Sequence, residues 1–146
     1  MFDRMDARII SALRKLEVPI ARIAIFVVYF WFGLLKLLGV SPAGPLVEAL
    51  FKKTVSFMTF PTFYFGLAIF EMVIGLIFVV KGLERLAIAL LAVHIFMTAL
   101  PLVFLPEITW QGFFIPTLEG QYIIKNILIV AAAIVVGAKL VPKNSN

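Results

Sequence analysis

The chain contains no cysteine and a single histidine. Without cysteine there are no disulfides, thiolate nucleophiles, iron–sulfur clusters or cysteine-ligated zinc sites. One histidine leaves little room for a histidine-based metal or haem centre within one protomer. Charge is scarce as well. Asp, Glu, Lys and Arg make up 14% of the chain and hydrophobic residues 63%, against about 25% and roughly 45–50% in soluble domains. A soluble single domain is excluded, and one integral membrane unit is the reading of this length. The net charge of +5 does not point to nucleic acid, because the basic residues are scattered and form no DNA- or RNA-reading motif.

What is present is long apolar runs. A bilayer core about 30 Å thick takes roughly 20 mostly apolar residues per helix. Residues 20–38, 63–80, 86–105 and 122–138 qualify, separated by the turn-forming stretches SPAGP (41–45), KGLER (81–85) and PEITWQGFFIPTLEG (106–120). The expectation is a single all-α domain, residues 1–146, forming a four-helix integral membrane bundle. Arg4, Arg8, Arg14, Lys15, Arg22, Lys81, Arg85, Lys139 and Lys143 fall on one side of these spans, whereas the opposite loops offer Lys52 and Lys53. The positive-inside rule then places both termini in the cytoplasm.

Two further segments carry helical patterning. Phe2, Met5, Ile9, Leu13, Leu16 and Ile20 recur at helical spacing, which predicts an amphipathic interfacial helix over 2–17. Because nearly 20 polar-rich residues precede the first span, an uncleaved anchor is expected; cleavage after Ala43 is the alternative. Residues 45–58 repeat an apolar face after Pro45, predicting a short outer-side helix that caps the bundle or anchors to the lipid surface.

Polar residues inside the spans are costly. A charge at a span centre costs about 2.5–3.5 kcal/mol on insertion scales. Counting about 1.5 Å per residue, Lys36 and Lys125 lie in the outer part of the membrane, and Tyr29, Glu71 and His94 near its midplane. Helical spacing puts Tyr29, Gly33 and Lys36 on one stripe, Ala68, Glu71 and Gly75 on another, and Ala87, His94, Thr98 and Pro101 on a third. On the fourth span the stripe is Tyr122, Lys125/Asn126, Ile129, Ala133 and Gly137. Small residues mark helix contacts in membranes, so the polar groups are expected to face inward.

Each has a plain alternative. Glu71 either carries protons, pairs with a lysine or bonds a ligand, or is a protonated acid tied to a neighbouring helix. His94 either relays protons with Glu71 or bonds Thr98 or a backbone carbonyl. Lys36 either faces the bundle or snorkels. Glu119, Gln121, Tyr122 and Asn126 crowd Lys125, predicting a polar patch. The candidate ligand-binding set is therefore Tyr29, Lys36, Glu71, His94, Glu119, Gln121, Tyr122, Lys125 and Asn126. No catalytic nucleophile or metal site is assigned.

FGLLKLLG (32–39), EMVIGL (71–76) and LEGQYIIKNILIVAAAIVV (118–136) together resemble the DoxX-like family of small bacterial membrane proteins, including the related reactive-chlorine-resistance inner-membrane proteins. The likeness runs from about Arg22 to Gly137, and the family's Lys, Glu and Lys fall on Lys36, Glu71 and Lys125. It implies a multi-pass protein of the bacterial inner membrane, with quinone-linked redox or oxidative-stress chemistry as its context. Lacking cysteine, this chain departs from members that work through thiols. Three functions follow as expectations: an accessory redox subunit binding a quinone-like ligand, a non-enzymatic assembly or chaperone subunit, and a small-solute or proton transporter. A protein partner or a homo-oligomer is expected, the transporter reading in particular calling for oligomerisation, and a stand-alone enzyme is not expected.

Overall fold

The computed structural model describes residues 2–141. Lys143 and the side chain of Phe2, used in the charge and stripe readings above, lie outside the described part. The chain runs through α1 (Phe2–Leu37), α2 (Gly44–Thr54), α3 (Phe60–Val79), α4 (Glu84–Ala99), α5 (Pro101–Phe104) and α6 (Pro106–Thr109). It continues through β1 (Trp110–Gly112), β2 (Ile115–Pro116), α7 (Leu118–Lys125) and α8 (Ile127–Gly137). Four helical stretches are long and apolar enough to cross a membrane: Arg4–Leu37, Phe60–Val79, Glu84–Phe104 and Leu118–Gly137. By length and composition, this is a multi-pass membrane protein.

The elements differ from the sequence expectations in four places. The interfacial segment 2–17 and the first span form one continuous helix, with Pro19 inside it. No glycine or turn residue separates the two stripes, and a lone proline removes one hydrogen bond without ending a helix whose flanks both favour it. At 36 residues, α1 is about 54 Å long, well beyond the thickness of a hydrocarbon core. The third span is interrupted at Leu100, where Pro101 opens α5, and the fourth at Asn126, between α7 and α8. Finally, the loop before α7 holds a small antiparallel hairpin, β1 with β2, in which Trp110 faces Pro116. An otherwise all-α chain therefore carries one strand pair.

Helix ends follow local chemistry. Gly39 takes a positive φ of 71°, which lets the Val40 amide donate back to the Leu35 carbonyl at 3.0 Å and stop α1. Gly82, with φ 89°, turns the chain between α3 and α4. Thr117 caps α7 by accepting a hydrogen bond from the Gly120 amide.

The core is formed by Ile25, Tyr29, Ile74, Phe78, Ala87, Leu91 and Ala133 from α1, α3, α4 and α8. The most extensive pairing is α1 against α3. A Cβ on Gly33 would lie 2.8 Å from the Ala68 carbonyl oxygen, and one on Gly75 would lie 2.9 Å from the Phe30 amide. Both glycines thus permit a backbone approach that any side chain would prevent. The outward faces stay apolar: Val27, Trp31, Phe65, Val73, Val93, Phe96, Ile127 and Leu128 are all exposed.

Candidate functional site

Three helices bring Tyr29, Lys36, Glu71 and His94 together. The stripes inferred from spacing on α1, α3 and α4 all face the interior, with Tyr29, Gly33, Lys36, Ala68, Glu71, Gly75, Ala87, His94 and Pro101 buried and Thr98 half-buried. Relative exposure is 4% for Tyr29, 8% for Lys36, 6% for Glu71 and 8% for His94. A charge so enclosed must find a partner or lose its charge.

The partners are each other. Lys36 Nζ donates to Glu71 Oε2 at 2.7 Å. The other carboxylate oxygen, Oε1, lies 2.9 Å from His94 Nε2. On the far side of the imidazole, Nδ1 is 3.0 Å from the Tyr29 hydroxyl and 3.2 Å from Thr98 Oγ1. Thr98 Oγ1 donates to the His94 carbonyl at 2.8 Å, so its single hydrogen is engaged there. This pattern assigns the proton of a neutral imidazole to Nε2, which donates to Glu71, while Nδ1 accepts from Tyr29. The result is an unbroken chain, Tyr29–His94–Glu71–Lys36. The Tyr29 and His94 rings also pack edge to face, with centroids 5.1 Å apart, and Phe70 lies against the imidazole at 6.0 Å.

The chain runs between the two depths estimated from the sequence. Tyr29 and Lys36 are seven residues apart on one helix, about 10 Å, and the Glu71 and His94 side chains bridge that gap from α3 and α4. His94 thus lies within hydrogen-bond distance of both Glu71 and Thr98. Lys36 faces the bundle rather than snorkelling.

The expected second cluster does not join this chain. Glu119, Gln121, Tyr122 and Lys125 are exposed and Asn126 is half-buried. Among the described residues no side-chain hydrogen bond links them, and Lys125 instead stands 5.5 Å from the Tyr122 ring centroid. The reason is the facing of the last span. Its buried residues are Gly120, Ile123, Ala133 and Val136, a stripe rotated by one position from the one that would have carried Tyr122 and Lys125 inward. The apolar stripe takes the interior, and Lys125 is left on the outer face of the helix. Trp31 and Phe32 likewise lie on the exposed face of α1, at 59% and 54%, away from the buried chain.

A second, half-buried ion pair was not foreseen. At the end of the bundle where α3 turns into α4, Arg22 Nη1 donates to Glu84 Oε1 at 2.8 Å and Arg22 Nε to the Phe78 carbonyl at 2.6 Å. Glu84 Oε2 accepts from the Gly82 amide at 2.8 Å. The clue in the sequence was an arginine opening a span that shares its end of the bundle with the KGLER turn.

The fold and this cluster define a class: a small multi-pass membrane protein with one buried ionisable chain built across three helices. No family model, curated protein or solved structure matches the sequence, so function is argued from the geometry.

Proposed function

We propose that this chain is an accessory subunit of DoxX type in a bacterial inner-membrane redox or stress-response system. In this role the Tyr29–His94–Glu71–Lys36 chain holds and passes protons beside a carbonyl-bearing apolar ligand of the quinone class. Both termini lie in the cytoplasm in this reading, supported by the basic residues clustered at one end. One observation carries the proposal: four ionisable side chains from three helices form a single buried hydrogen-bonded path. Membrane proteins rarely bear the cost of intramembrane ionisable groups without a use for them.

The donor set fits such a ligand in part. An ammonium has three hydrogens, and Lys36 Nζ spends one on Glu71, leaving N–H groups for a carbonyl or enolate oxygen arriving at the end of α1. Aromatics to stack on the ligand's ring are not at hand, since Trp31 and Phe32, the aromatics flanking this stretch of α1, face outward and no ring sandwich forms around the lysine. A bound quinone would supply the electron-accepting carbonyls. The residues of this chain supply hydrogen bonds and protons, and the electrons come from a partner protein. In nanodiscs, a ubiquinone or menaquinone analogue should raise the melting temperature saturably, and Lys36→Met should abolish the rise. If neither analogue shifts the wild-type protein and none copurifies with it, the ligand assignment fails.

A second reading, the assembly subunit, is favoured by closure of the same network. Both Glu71 oxygens and both His94 nitrogens find partners within the chain, as interhelical glue requires. Glu71→Gln separates the two. If stability falls while ligand response and partner copurification persist, the network is structural.

A further inference from the structure

We infer that the buried chain exchanges protons with only one side of the membrane, the side on which α1 ends and α2 lies. This inference rests on the proton-holding role proposed above and adds its direction. Towards the opposite end, the bundle interior below Tyr29 and His94 is a plug of apolar residues. Ile25 of α1, Ile74 and Phe78 of α3, Ala87 and Leu91 of α4 and Val136 of α8 are each no more than 2% exposed. No ionisable side chain interrupts this plug before Arg22, seven residues below Tyr29, or about 10 Å along the helix. At that end Arg22 and Glu84 are already paired with each other and with backbone groups. A proton has no side chain to occupy across that gap, and a close-packed interior offers no room for a file of water.

The other direction is short. Lys36 lies in the last turn of α1, next to the exposed Leu37 and Leu38, and Thr98 lies two residues before the break that opens α5. The charged and titratable groups facing the Glu71–His94 pair are Tyr29 and Lys36 from α1, with Thr98 as a further hydroxyl from α4. From Ile127 to Gly137, α8 has no titratable residue. A proton taken up from water at the α2 end is therefore shared by Glu71 and His94 and returns the same way; nothing is oxidised or reduced. A chain with one open end senses or delivers protons on that side and does not conduct them across.

His94 is the sole histidine, so uniform incorporation of isotope-labelled histidine reports this site without assignment. Full-length protein is reconstituted into vesicles, and the two orientations are sorted by whether external trypsin reaches Arg4–Lys15. Each preparation receives a jump in external pH, followed by time-resolved infrared difference spectroscopy. Labelled-histidine bands should appear promptly when the α2 end faces the medium. In the opposite orientation they should appear only after a protonophore equalises the two sides. Equal prompt responses in both orientations, or a prompt response only from the Arg22 end, would overturn the one-sided path while leaving the proton-holding role intact. No response in either orientation even with protonophore would overturn the proton-holding role itself.

Discussion

At the scale of single residues, the energetics centre on Lys36 and Glu71. Removing one partner of a buried pair leaves an uncompensated charge and typically costs 3–5 kcal/mol, whereas replacing both with neutral groups is often close to neutral. Lys36→Met is thus expected to destabilise the bundle by about 3 kcal/mol, and adding Glu71→Gln to recover most of that loss. Denaturant titration of the two single variants and the double variant in detergent checks this; additive losses would show that the 2.7 Å pair contributes no coupling. A different residue-scale effect sits at the hairpin tip. Phe114 adopts a positive φ of 55° while its ring is 79% exposed. A side chain there meets its own carbonyl, at about 1–2 kcal/mol, offset in part by edge-to-face contacts of the ring with Phe113 at 4.9 Å and Trp110 at 6.2 Å. With the backbone strain the larger of the two, Phe114→Gly should raise the melting temperature slightly; a lowered one would show that the ring contacts outweigh the strain.

Between elements, the α1–α3 seam decides whether the buried chain can form. Gly33 and Gly75 bring the two backbones together, and Lys36 and Glu71 stand within one turn of these contacts. A methyl group at either position forces the helices apart, with overpacking costs of roughly 1–3 kcal/mol. Gly33→Ala should lower stability and also shift the His94 ring nitrogen resonances, because the carboxylate anchoring Nε2 moves away. A stability loss with unchanged histidine resonances would detach the seam from the site. Outside the spans, α2 is tied to α6 by Lys53, which donates to Glu107 Oε1 at 2.9 Å and to the Phe104 carbonyl at 3.0 Å. The hydrogen bond from Lys53 holds the Glu107 carboxyl below the usual carboxylate range. A lowered folded-state value contributes stability at pH above the ordinary value and loses it as pH falls through the lowered one. The small stability difference between wild type and Lys53→Ala should therefore shrink on acidification. A difference that grows towards low pH would contradict the pairing.

At the scale of the whole molecule, the absence of cysteine makes every introduced thiol unique. If the proposed orientation holds, with both termini in the cytoplasm, Ser56→Cys in the α2–α3 loop should react with a membrane-impermeant maleimide in intact cells. Lys81→Cys in the α3–α4 turn should react only after lysis. The reverse pattern would invert the bundle, and the open end of the buried chain with it.

Periodicity alone carried much of this architecture. Runs of about 20 apolar residues interrupted by Pro- and Gly-rich turns determine four crossings, since lipid tolerates little else. Spacing of small and polar residues likewise placed Tyr29, Lys36, Glu71 and His94 inside. Tertiary structure decided the rest, because each remaining feature turns on a comparison between distant segments. The mismatch at Lys125 arose because two stripes that share Ala133 diverge by one residue at the start of the last span, and only packing against neighbouring helices chose Ile123 over Tyr122. The fusion of the N-terminal segment with the first span depended on whether Pro19 ended the helix or merely lay within it. Above all, no one-dimensional pattern shows that a lysine and a glutamate 35 residues apart share a hydrogen bond, or that a histidine completes it. That contact exists because two glycines let α1 and α3 close to backbone distance.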